Sequence, residues 1–135
     1  MRQLDQRGVA AFEFCLVALA FFTLIFAIFD LGRYVITMQS LRNLAGAGAR
    51  ANMITCYTPA VIGKTSPSGC TGDYLSPAQK QDAAPFLFVG GVSPTLATTA
   101  GANALTVTAS IGFTPLMPIW GSALDAPSAS TNIPF

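Results

Sequence analysis

From Phe14 to Phe29 the chain reads FCLVALAFFTLIFAIF, sixteen residues with no charge and a single hydroxyl. Extended back to Val9 the apolar run has twenty-one residues, broken only by Glu13. A helix rises about 1.5 Å per residue, so about twenty residues cross the hydrocarbon layer of a bilayer. Inside lipid every backbone polar group needs an internal partner, and for a single segment only a helix supplies it. Length and solvent together predict a membrane-spanning helix here.

The leader that precedes the run, MRQLDQRG, carries Arg2 and Arg7. Positive residues stay on the cytoplasmic side of a membrane, which puts the leader inside and the distal part outside. A secretory signal peptide also has a basic start and an apolar centre. Glu13 within the apolar core and the helical pattern that continues beyond it argue against that reading. Past Phe29 the chain reads DLGRYVITMQSLRNLAGAGARANMI, in which Leu31, Val35, Met38, Leu41, Leu44/Ala45 and Gly48 recur at the spacing of one helical face. Asp30 and Arg33, three apart, can pair on one side. The small residues Ala45 to Ala49 permit close approach of a neighbouring helix. A helix from Val9 to about Asn52 would be roughly 65 Å long, twice a bilayer, so its second half must project and seek a partner.

After Asn52, Pro59, Pro67, Pro77, Pro85 and Pro94 alternate with glycines and exclude long helices. Ser76 before Pro77 can open a short helix ending near Ala84, and Phe86 to Val89 is expected to pack on the stalk. Leu105, Val107, Ala109 and Ile111 alternate with small or hydroxylated residues in NALTVTASIGF, the pattern of a half-buried strand. A lone strand cannot bury its face, so partners must come from residues 86–99 or from the final segment. The tail from Thr114, with Trp120 as a core plug or interface residue, reads as an irregular cover. The expected architecture is α+β: a leader over 1–8, a transmembrane and stalk helix over 9–52, and over 53–135 a small distal domain containing short β-strands.

Three cysteines occur. Cys15 lies in the apolar run, where a thiol behaves as a small hydrophobe. Cys56 and Cys70 flank a turn-rich loop, either as free thiols or as a disulfide that would remove about 3 kcal/mol of unfolded-chain entropy and would need an oxidising compartment.

Enzyme chemistry finds little support. There is no histidine, which removes the Ser-His-Asp and Cys-His systems. Asp73, Asp82 and Asp125 have no pairing that suits acid and base work. Two outer cysteines without histidine do not make a zinc site, and GAGA at Gly46 to Ala49 lacks the Gly-Lys-Ser/Thr of a phosphate loop. No cofactor is expected. Seven Lys plus Arg against six Asp plus Glu leave a net charge of +1, too little to draw in nucleic acid.

Glu13 remains. A carboxylate in an apolar membrane segment is costly if unpaired. It can reach headgroups or Arg7 at the cytoplasmic interface, or pair with a positive group of another subunit. The stretch QRGVAAFEF, the apolar run after it and DLGRYVITMQSLRNLAGAGARA together resemble the TadE-like pseudopilins of tight-adherence, Flp-type pilus systems. The resemblance is strongest over residues 6–52. It implies cleavage by a prepilin peptidase after Gly8, a mature start at Val9, and Glu13 as the fifth mature residue. It also singles out Phe14, Asp30, Gly32 and Arg33 for assembly, with the new Val9 ammonium of one subunit paired to Glu13 of a neighbour.

The function so implied is that of a minor pseudopilin or assembly factor, acting through lateral helix packing as a peptidase substrate. Its implied partners are the prepilin peptidase, the inner-membrane pilus platform, the major Flp pilin, other minor pseudopilins and the lipid bilayer. Its implied place is the bacterial cytoplasmic membrane, single-pass, or the pilus itself. The alternative is a single-pass envelope binding or structural protein unrelated to pili.

Overall fold

A computed structural model describes residues 6–135; Arg2 and the rest of residues 1–5 in the expected leader lie outside the described residues, as do the side chains of Gln6 and Arg7. Helix α1 runs from Gln6 to Asn52. Both of its threonine hydroxyls bond back to the helix: Thr23 Oγ1 donates to the Leu19 carbonyl at 2.7 Å and Thr37 Oγ1 to the Arg33 carbonyl at 2.9 Å.

The helix does not stop at Asn52. Met53–Tyr57 forms a π-helical turn, and α2, Thr58–Ile62, continues from it. Pro59 has no amide hydrogen to give to the preceding turn and its ring crowds that turn, so the hydrogen-bond register widens ahead of it and then resumes. The widened turn carries Cys56, which is joined to Cys70 in a disulfide with a Cα–Cα distance of 5.6 Å. Buried Asn52 fastens the same loop to the helix, its Nδ2 donating to the Cys70 carbonyl at 2.8 Å.

Helix α3, Pro77–Ala83, starts as its sequence predicts. Ser76 Oγ accepts from the Gln79 amide, the Gln79 side chain accepts from the Ser76 amide, and Pro77 takes the first helical position. The short turn Pro85–Phe88 that follows buries Leu87, whereas Val89 stays 73% exposed.

Three strands complete the fold: β1 (Thr95–Ala100), β2 (Ala104–Ser110) and β3 (Ser128–Pro134). They form an antiparallel meander with β2 in the centre. Leu105 pairs with Ala100 on one side and Ile133 on the other; Ala109 pairs with Leu96 and Ala129. Leu96, Leu105, Val107, Ala109, Ala129 and Ile133 face inward onto Leu41, Leu44, Ala45 and Ala49 of α1. The outer face is solvated by hydroxyls and amides, with Thr106 Oγ1 donating to Asn132 Oδ1 at 3.0 Å. The expected strand thus finds a partner on each side. The tail departs from expectation, because its last residues are not an irregular cover but the third strand: alternation of Ala129, Thr131 and Ile133 is too weak to read until β2 is there to pair with.

The face of α1 that meets the sheet also differs in its lower half. Leu41, Leu44, Ala45 and Gly48 are buried as the periodicity predicts, but Leu31 and Val35 are exposed, while Asp30 and Thr37 are buried in their place. The glycine-alanine tract is divided. A Cβ on Gly48 would meet Leu96 Cδ2 at 2.8 Å and Val107 Cγ1 at 3.1 Å, so that glycine brings the helix against its own sheet. A Cβ on Gly46 would meet nothing within 4 Å, and that position is open to another molecule.

Candidate anchoring and assembly site

Two groups of residues singled out in the sequence lie at opposite ends of the apolar run. Gly8, Val9, Glu13 and Phe14 sit in the first turns of α1, all exposed, with Val9 and Phe14 projecting away from the rest of the protein. Almost every large side chain from Val9 to Phe29 is exposed likewise. This helix is long and apolar enough to cross a membrane and buries little of that surface inside the protein.

At the other end, Asp30 directly follows Phe29 and is fully buried. The structure takes it out of water by bringing a distant backbone to it. The Leu116 amide donates to Oδ1 and the Met117 amide to Oδ2, each at 2.9 Å. The Arg33 guanidinium stands 3.7 Å from Oδ1, and lies over the Phe113 ring, 5.2 Å from its centroid. Phe113 in turn meets Tyr34 edge-on. Burial pushes the Asp30 carboxyl up, but the Leu116 and Met117 amides, the Trp120 indole and Arg33 together outweigh it and hold the group below its ordinary value of 3.8. The Trp120 Nε1 is buried and has no partner at ordinary hydrogen-bonding distance, so it acts on the carboxylate from slightly farther away.

The sequence pattern that pairs Asp30 with Arg33 is therefore only half of the arrangement. Leu116, Met117, Phe113 and Trp120 were not legible as its partners, since they lie more than 80 residues away and bind mainly through the backbone. Gly32 is nearby but open, with nothing within 4 Å of an added Cβ. Asp30 does not join Glu13 in one cluster; the sixteen residues of helix from Phe14 to Phe29 separate them.

The chain from β2 to β3 makes this contact possible. Ile111 N–H donates to the Pro127 carbonyl at 3.3 Å and Phe113 N–H to the Asp125 carbonyl at 2.8 Å, closing the neck of a loop that descends along α1. At its tip Pro118–Trp120 forms a single 3₁₀ turn, and Gly121, at φ 53° and ψ −134°, takes a backbone conformation that side chains oppose.

Residues 8–50 match the model of a family described as TadE-like protein. Over that segment the chain is similar to TadE-like proteins. The match covers the whole apolar run, Asp30 and most of the stalk, and stops short of the disulfide and the sheet. No curated protein and no solved structure matches the chain. Among the described residues no group of three or more His, Cys, Asp or Glu could hold a metal ion.

Proposed function

We propose that the chain is a minor pseudopilin or assembly factor of a Flp-type, tight-adherence pilus. In this reading a prepilin peptidase cuts after Gly8, and Val9 to Phe29 lies in the bacterial cytoplasmic membrane with the leader inside and the distal domain outside. The helix packs laterally against the major Flp pilin and other minor pseudopilins, at the inner-membrane platform or within the pilus. The observation that carries the reading is the TadE-like match beginning at Gly8, on a helix whose first turns and apolar run are left exposed by its own domain.

Cleavage would free an ammonium on Val9. In a neighbouring subunit, Glu13 would then be its counter-charge, and pairing relieves the cost of holding either group in lipid. Phe14 and the exposed phenylalanines after it supply the lateral packing surface. Asp30 and Arg33 act differently in this reading: they hold the distal domain at a set height on the helix, so that neighbouring subunits present it uniformly.

The test is the intact mass of the protein extracted from membranes of its native cells, beside a Gly8→Leu variant. Loss of residues 1–8 that the substitution blocks supports the reading. Full-length protein in both would overturn it and leave the single-pass envelope protein unrelated to pili.

A further inference from the structure

We infer that the loop between β2 and β3 is a second membrane contact: Leu116, Ile119 and Trp120 dip into the headgroup and upper acyl region of the leaflet on the distal-domain side. The inference rests on the reading of Val9 to Phe29 as membrane-spanning, but on neither pilus assembly nor the direction of insertion.

The first support is height. Leu116 and Met117 are hydrogen-bonded to Asp30, the residue that ends the apolar run. Each helical residue rises about 1.5 Å, so the loop tip is held within about one turn of the point where the helix leaves the hydrocarbon. A tether at that place puts the tip at the headgroups whatever the tilt of the helix.

Composition is the second support. The loop from Thr114 to Leu124 has no charged residue. Leu116 is 62% exposed and Ile119 58% exposed, and they precede half-buried Trp120, the residue type whose ring favours the membrane interface. Phe86, Val89 and Val92 expose further apolar surface on a cleft of about 390 Å³, whose wall includes Arg33, Phe113 and, at the start of the loop, Thr114. The apolar rim thus surrounds one cation at the level of lipid phosphates.

Backbone satisfaction is the third. Inserting a loop is expensive when its amides lose water. Here the Leu116 and Met117 amides are taken by Asp30, the Gly121 amide by the Pro118 carbonyl and the Ala123 amide by the Trp120 carbonyl. Pro115 and Pro118 have no amide hydrogen to satisfy. An apolar tip with these four amides already paired suits a water-poor interface, and a lipid leaflet is the occupant continuous with the helix beside it.

Trp120 is the sole tryptophan, which makes the native chain its own probe. Full-length protein would be reconstituted into phosphatidylcholine–phosphatidylglycerol vesicles containing lipids brominated near the carbonyl end of the acyl chain. Expected are a blue-shifted emission maximum and quenching of Trp120, both reduced in Leu116→Ser/Ile119→Ser. A Trp120→Phe/Phe22→Trp variant moves the single indole onto the helix and reports it in the same vesicles, using lipids brominated deep in the chain. Quenching in that variant without quenching of Trp120 in the native chain overturns the loop contact and leaves the anchor standing. Absence of both overturns the membrane reading on which it rests. Trp120 emission that responds to protein-to-lipid ratio but not to bromine assigns the rim to a second copy of the chain and likewise overturns the proposal.

Discussion

Replacing Gly46 and Gly48 separately by alanine should stabilise the protein only at Gly46, although the two lie two residues apart on one helix. Both substitutions remove a glycine from a helix interior, a gain of about 1 kcal/mol in each case. At Gly46 nothing opposes that gain, because an added Cβ meets no atom within 4 Å. At Gly48 the Cβ would stand 2.8 Å from Leu96 Cδ2 and 3.1 Å from Val107 Cγ1. Leu96 is buried and has little room to swing, and Val107 is fully buried and β-branched, with its rotamer restricted. Overpacking of this kind costs roughly 1–3 kcal/mol, which leaves Gly48→Ala neutral to about 2 kcal/mol destabilised once the propensity gain of about 1 kcal/mol is subtracted. Since that gain is common to both variants, the difference between them isolates the steric part. Full-length protein in detergent would be melted while following Trp120 fluorescence, where each kcal/mol moves Tm by roughly 4–8 °C for a domain of this size. A Gly48→Ala protein that melts at or above Gly46→Ala would refute the seating of α1 on the sheet.

Asp30 has a depressed pKa, so its contribution is fully present above the ordinary carboxylate value and is lost as pH falls below that value through the lower folded one. Hydrogen exchange should show the Leu116 and Met117 amides protected at neutral pH and losing protection in acid below the ordinary value of 3.8. In Asp30→Asn, which presents one donor where a second acceptor is needed, at least one of these amides should be unprotected at every pH. Reducing the Cys56–Cys70 disulfide, which closes a loop with a sequence separation of 14, should cost about 3 kcal/mol and lower Tm; Cys15→Ser should leave Tm unchanged, because its thiol is exposed and free. An equal Tm with and without reductant would refute the first statement.

Much of the architecture was legible before any coordinate. Sixteen uncharged residues from Phe14 to Phe29 can satisfy their backbone in only one way if they enter lipid. Ser76 followed by Pro77 reads as a helix start, and the helix forms there, with Gln79 completing a capping box that was not read from the sequence. Leu105, Val107 and Ala109 alternate because a half-buried strand must, and they occupy the centre of the sheet. Each of these signals is local, so neighbours in sequence carry all of the information.

What the sequence alone determined is a long apolar helix, its projecting continuation and one strand that needs partners. Tertiary structure alone decided which partners those are, where the helix ends and what Asp30 is for. The reason is physical: β3 is specified by pairing with β2 and not by its own alternation, and Pro59 changes the hydrogen-bond register of the helix without ending it. Asp30 is stabilised by two backbone amides more than 80 residues away, groups every residue but proline possesses and no sequence pattern can mark. Gly46 and Gly48 look alike in the chain. Only the positions of Leu96 and Val107 make one of them a close contact within the molecule and leave the other open.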